Sequence, residues 1–289
     1  MKKTTKTLQI AVPNKGRLQE PTLNIIRSIG LEFESGDRKL STMVSNFEDI
    51  EIVYISAAAI PEYVQNGVVD LGITGIDLIE ERNVKVEILE RLGFGKASLV
   101  VAAPEGDGIE KLADLNGKKI ATTFPFLAKK FLKKNKIKAE VVEVDGAVEI
   151  TPKLGIVDAI VDLSSSGTTL KANKLILLAT ILDSEAVLIG KKDANKDNET
   201  LKKLLIRLES VLTARRKRYI MMNAPAKILP QIKKIAPGLS APTIMSLSEP
   251  GMIAVHSVID ATDVWRTINR LKKIGATGIL IVPIERMID

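Results

Sequence analysis

Residues 158–170 read DAIVDLSSSGTTL, and they combine an apolar strand, two acidic residues and a loop of small residues that begins a helix. A loop of Ser, Gly and Thr presents backbone N–H groups and hydroxyls, which are the donors that a phosphate needs. Carboxylates beside such a loop favour a ligand that also carries sugar hydroxyls or a bound Mg²⁺. The segment therefore indicates an α/β protein with a site for a phosphorylated sugar.

The candidate phosphate loop consists of six successive small residues, namely Ser164, Ser165, Ser166, Gly167, Thr168 and Thr169. We expect Gly167 to let the backbone approach the ligand closely. In an alternative interpretation, the hydroxyls only cap the N–H groups at the start of the helix. The acids favour binding, because carboxylates four residues apart in a strand share a face and are rarely buried without partners. Asp162 is the stronger candidate, since Asp158 can instead precede the strand and cap a turn.

Two other segments carry charged candidates. Glu149 lies near the start of a predicted helix, where it either stabilises the first turn or binds a ribose hydroxyl. Lys15 and Arg17 follow the first predicted strand, and ligands of open α/β sheets bind beyond the carboxyl ends of strands. Two cations at that position either neutralise a pyrophosphate or triphosphate, or simply form a basic turn.

A third segment combines an acid with small residues along a strand. Its candidate residues are Asp70, Leu71, Gly72 and Thr74. Small residues here either permit close approach of a ligand or pack a tight corner between strand and helix.

Lysine and arginine outnumber aspartate and glutamate by 42 to 35, which gives a net charge of +7. This excess either attracts anionic ligands or reflects a solvated lysine-rich surface. Aromatic residues make up only 3% of the chain, which disfavours a surface for stacking bases. Because no nucleic-acid-binding motif accompanies the lysines of 129–136, we expect no nucleic-acid partner.

The chain contains no cysteine and one histidine, His256. Disulfides, thiol catalysis, cysteine-ligated zinc and histidine-rich metal sites are therefore excluded. The apolar segment 8–12 is too short for the core of a signal peptide, and no apolar run approaches the length of a membrane span. We expect a cytoplasmic protein without a membrane partner.

Short apolar strands alternate with helical patterns up to residue 190, which predicts an α/β fold. Leucines at helical spacing from Leu201 to Leu212 then predict a helix that connects two domains. Residues 219–289 have the order β-α-β-β-α-β of a ferredoxin-like unit. By analogy of fold, a small appended unit of this kind favours a regulatory role.

Several motifs, in this order along the chain, resemble the long form of the ATP phosphoribosyltransferase family. They are VPNKGRL (12–18), VDLGITG (69–75), LGFG (92–95), KIAT (119–122) with Pro125, DGAVE (145–149), the segment 158–170, YIMM (219–222) and PTI (242–244). The resemblance implies transfer of a phosphoribosyl group from 5-phosphoribosyl-1-pyrophosphate (PRPP) to N1 of the adenine of ATP. Pyrophosphate leaves, and the reaction is the first step of histidine biosynthesis.

The resemblance also implies a domain organisation. The catalytic region is expected to have two lobes like a type-II periplasmic binding protein. Domain I would comprise 1–95 with 178–195, and domain II would comprise 96–177. A linker helix at 196–218 would lead to a ferredoxin-like domain at 219–289 that binds histidine as feedback inhibitor.

Site roles follow from the matched motifs. Residues 164–169 would hold the 5-phosphate of PRPP. Asp162, Glu149, Lys15 and Arg17 are the expected catalytic residues, with the two acids near the ribose hydroxyls. Both cations and the segment 70–74 would face a cleft near ATP or the pyrophosphate, and Mg²⁺ is the expected cofactor, with ligands unassigned.

The regulatory unit receives its candidates in the same way. Asn223 and Thr243 match the region of the histidine pocket, although Asn223 stands where some relatives carry an acid. The resemblance also implies a homo-oligomer, in which dimers assemble into hexamers.

A second function stays open from the sequence, namely a two-lobed module that binds an anion without chemistry. The acids beside the phosphate loop favour the transferase, because binding alone does not require them.

Overall fold

A computed structural model describes residues 7–34, 40–47, 49–192 and 198–288. The chain divides into two units, Met1–Thr200 and Leu201–Asp289. In chain order, the elements of the first unit are β1 (Leu8–Pro13), α1 (Gln19–Ser28), β2 (Ser41–Met43), β3 (Ile50–Ile55), α2 (Ile60–Gln65), β4 (Leu71–Gly75), α3 (Ile76–Arg82), β5 (Val86–Arg91), β6 (Ala97–Pro104), β7 (Lys119–Thr122), α4 (Pro125–Lys134), β8 (Glu140–Glu143), β9 (Ala159–Ser164), α5 (Thr168–Ala172), β10 (Leu175–Ser184) and β11 (Ala186–Lys191).

Two sheets organise the first unit. Sheet A has the strand order β2-β3-β1-β4-β11-β5, and sheet B has the order β10-β6-β9-β7-β8. The chain passes from sheet A to sheet B between β5 and β6 and returns between β10 and β11. We call the parts that carry sheets A and B the first lobe and the second lobe. The predicted two-lobed α/β fold is confirmed.

The return segment 178–195, which was assigned to domain I, is divided between the sheets. Its first part belongs to β10, which pairs with β6 in sheet B as far as Ser184. Only β11 joins sheet A, between β4 and β5. A long antiparallel edge strand is hard to recognise from sequence, because its partner lies more than seventy residues away. The other domain boundaries stay predictions.

Parallel strands place the candidate loops at comparable edges of the two sheets. In sheet A, β1 is parallel to β3 and β4, and in sheet B, β9 is parallel to β7. The loop with Lys15 and Arg17 follows the carboxyl end of β1, and the phosphate loop follows the carboxyl end of β9. Each loop therefore lies where parallel sheets bind ligands.

Strand β9 positions the site through its alternation. Val161 packs with Leu127 of α4 on one face of sheet B. Ile160 packs on the opposite face with Leu170 of α5 and with Val148. Because side chains two residues apart in a strand share a face, Asp162 points to the side on which Leu170 and Val148 pack.

Gly72 allows α2 to lie directly on sheet A. A Cβ atom at this position would lie 2.4 Å from Cγ2 of Ile60 and 2.9 Å from Cγ2 of Val64. Both distances are shorter than any carbon–carbon contact in a packed core. The glycine is therefore a packing residue between strand and helix.

The second unit contains α6 (Glu199–Arg215), β12 (Lys217–Pro225), α7 (Leu229–Ile235), β13 (Thr243–Ser246), β14 (Met252–Asp260), α8 (Val264–Lys273) and β15 (Thr277–Pro283). Its antiparallel sheet C has the order β13-β14-β12-β15. One face of the sheet is covered by α7 and α8 through residues such as Ile220, Ile232 and Leu271. This arrangement confirms the ferredoxin-like unit, in which the first and third strands are neighbours at the centre.

The longest helix in the described part of the chain is α6, with 17 residues. Its buried leucines lie along one face, and its lysine and arginine residues lie on the other faces. Among the described residues, no helix has both the length and the apolar character that a membrane span requires.

Gly72→Ala should destabilise the protein by about 1–3 kcal/mol, because the added methyl group overpacks the contact with α2. The free energy of unfolding in urea measures this loss. In the double variant Gly72→Ala/Ile60→Ala, the new methyl group occupies space that Ile60 has vacated. The double variant should therefore lose less than the sum of the two single losses, and strictly additive losses would contradict this packing.

Candidate active site

The phosphate loop leaves most of its donors accessible. Ser164 Oγ accepts from the N–H of Gly167 at 3.1 Å, which closes the turn, and the hydroxyls of Ser166 and Thr168 are 2.8 Å apart. Ser165, Ser166, Thr168 and Thr169 are exposed. Hydroxyls that bond only within the loop are free to rotate toward an anion. The loop is therefore able to bind a phosphate.

The backbone conformation of Gly167 favours glycine, and its predicted close approach to a ligand stays a prediction. A Cβ at this position would meet no atom within 4 Å, so close approach of other protein atoms does not demand glycine. Its φ is +70°, which is in the left-handed region that side chains disfavour. The conformation turns the chain from β9 into α5.

Asp162 and Glu149 bring two carboxylates together beside this loop. Asp162 is half-buried, and its Oδ1 accepts from the N–H of Leu163 at 2.8 Å. Burial raises the pKa of Asp162, and the nearby charge of Glu149 raises that pKa further, while the Leu163 hydrogen bond opposes both. Two interacting carboxylates form a site that attracts a cation or hydroxyl donors.

Glu149 reaches this position from a short turn rather than from the predicted helix. Residues Val148–Ile150 form one 3₁₀ turn, preceded by Ala147 with φ of 50°. Pro152 lacks an N–H, and Gly155 has positive φ. Both features prevent the helical hydrogen-bond ladder from continuing.

Asp158 serves a structural purpose at the opposite end of β9. Its Oδ2 accepts from the N–H of Lys119 at 2.8 Å, and its Oδ1 lies 3.2 Å from Nζ of Lys118. The Lys119 hydrogen bond is the main reason that the pKa of Asp158 is lowered. Asp158 precedes the strand, as the alternative interpretation anticipated.

Cavities adjoin the loop on the β6 and β10 side. A cavity of about 620 Å³ is lined by Ser164, Ser165 and Gly167 and by apolar residues that include Leu170 and Leu177. A second cavity, of about 310 Å³, also reaches Ser165. It extends to the two connections between the lobes, from β5 to β6 and from β10 to β11. The loop is therefore accessible from both the second lobe and these connections.

Arg17 is held at the connections between the lobes by a buried acid. Its Nη2 donates to Oδ1 and Oδ2 of Asp77 at 3.3 and 3.2 Å, and its Nη1 donates to the carbonyl of Gly95. Ser184 donates its hydroxyl to Asp77 and accepts from the Asp77 N–H at 3.1 Å. Gly95 lies in the connection from β5 to β6, and Ser184 ends β10 just before the connection to β11. Arg17 and Asp77 therefore link both connections between the lobes to the loop after β1.

Lys15 lies in the same loop as Arg17 but has a different environment. It is exposed and forms no ion pair with any residue that the structure describes. Its charge therefore stays available for a ligand.

The segment 70–74 is mostly buried or bonded within the protein. Asp70 precedes β4 and accepts from the N–H of Gln9 at 3.0 Å, at the amino ends of the strands. Leu71 and Gly72 lie in the core. Only Thr74 lies toward the carboxyl end, and it is buried with its hydroxyl donating to the carbonyl of Ala57 at 2.9 Å. The packed-corner interpretation therefore describes this segment best.

Asn223 and Thr243 lie on one face of sheet C but do not touch. Asn223 pairs with Ala254, and Thr243 pairs with His256. Strand β14 lies between them, and their partners on it are two residues apart, so two strand spacings and this offset separate them by about 12 Å. On the strand between them, His256 is the register partner of Thr243, and its Nδ1 lies 3.0 Å from Tyr219 Oη.

Comparison with known proteins identifies the family. The family model described as HisG, ATP phosphoribosyltransferase, matches residues 56–210, and the HisG C-terminal domain model matches residues 214–286. The ATP phosphoribosyltransferase of Methanosarcina barkeri is 48% identical over 287 residues, which cover 97% of this chain and 99% of that protein. The chain belongs to the ATP phosphoribosyltransferase family.

Comparisons with more distant relatives identify the same family. The Methanocaldococcus jannaschii enzyme is 41% identical over 288 residues, which cover 97% of this chain and all of that protein. A solved chain of the ATP phosphoribosyl transferase (HisG:HisZ) complex from Thermotoga maritima has a TM-score of 0.64 and 26% identity, and the match covers 72% of this chain and 99% of that one.

Family membership confirms the predicted enzyme. The chain is a transferase of the ATP phosphoribosyltransferase kind, which acts at the first step of histidine biosynthesis. The alternative of a module that binds without chemistry is therefore set aside.

The acidic pair fits a metal ion that is shared with a substrate. Across the described ranges, no three His, Asp or Glu side chains gather into a metal site. Mg²⁺ keeps most of its ligands from water and substrate phosphates, and it needs only one or two protein carboxylates. Asp162 and Glu149 supply that number.

Asp77 is the site residue that the sequence analysis missed. Its partners Arg17 and Ser184 are 60 and 107 residues away along the chain. One signal was present, because Asp77 interrupts the apolar run Ile76-Asp-Leu-Ile79. A carboxylate inside such a run requires a buried partner.

Asp162→Asn should change the pH dependence of stability. Because the folded state raises the pKa of Asp162, this group contributes stability below its unfolded pKa of about 3.9 and loses that contribution as pH rises through its folded pKa. The Asp162→Asn variant should therefore gain stability relative to the parent as pH rises above about 4, until the carboxyl group of the folded parent is fully ionised. Urea unfolding at each pH measures the difference.

Asp158→Asn is the matched control with the opposite sign. Its lowered pKa means that ionised Asp158 stabilises the fold above the unfolded pKa, and that this stability is lost as pH falls through the folded pKa. The Asp158→Asn variant should therefore be less stable than the parent at neutral pH, with a difference that shrinks in acid. The same trend for both variants would contradict the assigned environments.

Proposed function

We propose that this chain transfers the phosphoribosyl group of PRPP to N1 of the adenine of ATP and releases pyrophosphate. One observation carries the proposal, namely that the carboxylates of Asp162 and Glu149 lie together beside an accessible loop of hydroxyl and N–H donors. A phosphate next to sugar hydroxyls matches this pair of features. Membership of the ATP phosphoribosyltransferase family supports both substrates.

The loop 164–169 would hold the 5-phosphate of PRPP. Its backbone N–H groups and the hydroxyls of Thr168 and Thr169 are charge-assisted donors to a phosphate. Once the phosphate is fixed, the ribose extends toward the carboxylates of Asp162 and Glu149. These accept hydrogen bonds from ribose hydroxyls and thereby orient the anomeric carbon.

The two carboxylates also face the charge that develops during transfer. Adenine N1 is already a nucleophile, so the chain needs no covalent intermediate. As the bond to pyrophosphate breaks, the ribose ring becomes oxocarbenium-like, and nearby anions stabilise positive charge that is larger in the transition state than in the substrate. Holding two substrates in line for attack contributes about 7–11 kcal/mol in favourable cases.

Lys15 and Arg17 would serve the phosphates of ATP or the departing pyrophosphate. Lys15 supplies an available charge. The guanidinium of Arg17 is shared with Asp77 but keeps 35% of its side-chain surface exposed, so it can still contact an anion. Within the segment 70–74, only Thr74 is retained, as a support for the loop at Ala57. Mg²⁺, when bound with PRPP, would supply positive charge that stabilises the leaving pyrophosphate.

Replacing Thr168 and Thr169 with Val should raise the KM for PRPP about tenfold or more, because each hydrogen bond to a charged group contributes about 1.5–3 kcal/mol. The rate of pyrophosphate release with ATP, PRPP and Mg²⁺ measures the effect, and mass spectrometry identifies the nucleotide product. Thr42→Val, on the edge strand β2, is the matched control and should leave the KM unchanged. An unchanged KM in the double variant would remove the loop from the PRPP site.

We further propose that histidine inhibits the enzyme through the second unit and that the chain forms a homo-oligomer of dimers and hexamers. Support for the inhibitor site comes from Asn223 and Thr243, which share the face of sheet C that α7 and α8 leave uncovered. Their separation of about 12 Å, from two strand spacings and an offset of two residues, leaves room for an amino acid between them.

Asn223→Ala/Thr243→Val should weaken histidine inhibition at least tenfold while leaving the uninhibited rate unchanged, because the removed groups are hydrogen-bond partners of the proposed inhibitor only. Initial rates at increasing histidine concentration measure the change. Ser246→Ala lies on the same strand with the opposite side-chain direction and should respond like the parent. A chain that ends at Asn198 should lose inhibition altogether, and persistent inhibition would place the inhibitor elsewhere.

A further inference from the structure

Helix α4 begins without a cap of its own. The residue before it is Phe124, whose side chain accepts no hydrogen bond, and its first residue is Pro125, which has no N–H. The next two N–H groups, of Phe126 and Leu127, lack partners within the helix, as in the first turn of any α-helix. Both donate to one carboxylate, that of Glu81, at 2.8 and 2.9 Å.

Glu81 belongs to the other lobe. It lies in the last turn of α3, which directly follows β4 of sheet A, whereas α4 follows β7 of sheet B. A carboxylate at a helix N-terminus interacts favourably with both the free N–H groups and the helix dipole. The negative carboxylate of Glu81 in one lobe therefore caps the positive end of the α4 dipole in the other lobe.

Helix α3 is anchored in both lobes along its length. Neighbouring residues pack into different cores, since Leu78 lies against the core of sheet B and Ile79 belongs to the core of sheet A. Its first turn holds Asp77, which is bonded to Arg17 and Ser184. The seven-residue helix thus spans from the basic loop after β1 to the start of α4.

The start of α4 is adjacent to the acidic pair. Thr122 ends β7 and pairs with Val161 of β9, the residue before Asp162. Thr122 Oγ1 also accepts from the N–H of Phe124 at 2.8 Å. The start of α4 is therefore connected through Thr122 to the carboxyl end of β9, where Asp162 lies.

We propose that Glu81 is a positioning residue that couples the two lobes. Through it, α3 sets the distance between the loop after β1, which carries Arg17, and the carboxyl end of β9, which carries Asp162. The coupling itself follows from the contacts of α3. Its effect on catalysis rests on the proposed function, in which the two edges serve different substrates. Loss of the carboxylate frees the start of α4 and allows a wider range of separations between the lobes.

The test measures the separation directly. Because the chain has no cysteine, one label can be placed on each lobe with Val68→Cys and Glu110→Cys, both exposed and outside α3 and α4. Pulsed electron paramagnetic resonance between two spin labels then gives a distance distribution for the full chain without substrates. The Glu81→Ala variant should broaden or shift this distribution, and Glu81→Gln, which keeps one amide oxygen, should give an intermediate result.

Glu80→Gln is the matched control. Glu80 is a neighbouring exposed acid whose carboxylate lies 4.0 Å from Nζ of Lys130, and such surface pairs contribute little. This variant should keep the distribution and the activity of the parent. Thermal unfolding verifies that each variant is folded. If Glu81→Ala does not fold, the distance distribution of Glu81→Gln decides the test.

Catalysis supplies the second readout. We expect Glu81→Ala to lower kcat about tenfold with a smaller change in either KM, because an interaction that aligns bound substrates acts mainly in the transition state. An unchanged distance distribution in Glu81→Ala would overturn the coupling, whatever the rates. A parent that forms no product while the distances still respond would support the coupling and overturn the proposed function instead.

Discussion

The buried carboxylate of Asp77 holds together three parts of the first unit, namely α3, the loop after β1 and the end of β10. It is almost fully buried, and it bonds the guanidinium of Arg17 and the hydroxyl of Ser184. Removing Arg17 would leave the buried carboxylate of Asp77 with only the Ser184 hydroxyl and its hydrogen bond as compensation, which destabilises the fold. Loss of activity in an Arg17 variant would therefore report on folding as well as on anion binding, and Lys15 is the cleaner residue with which to examine the cationic side of the site.

The features that the sequence predicted well are those determined by neighbouring residues. The alternation in β9 and the small residues after it lie within thirteen residues, so local propensity is sufficient to predict the strand that carries Asp162 and the loop that follows it. The ferredoxin-like order was also readable from periodicity alone. Strand β10 was not recognised as part of sheet B, because its pairing with β6 is a tertiary choice that no local pattern specifies.

The site residues also divide into those that local sequence predicts and those that depend on distant contacts. Asp77 and Glu81 act through partners that are far away in sequence, and a single sequence gives no signal for such contacts beyond the presence of an acid in an apolar run. Asp70 illustrates a different difficulty. Asp70 lies just before β4, whereas Thr74 lies near the carboxyl end of that strand. Only the direction of a parallel strand distinguishes the end at which ligands bind from the other end.

The missing cap of α4 limits how the two lobes can be exchanged between members of the family. The two lobes look exchangeable, because each has its own sheet and only two short connections join them. Yet a second lobe cut at those connections would carry a helix with two unsatisfied N–H groups and an apolar contact without Leu78 to cover it. Chimaeras built from different family members should therefore inherit α3 and the start of α4 from the same parent, since recombination between them separates a helix from its cap.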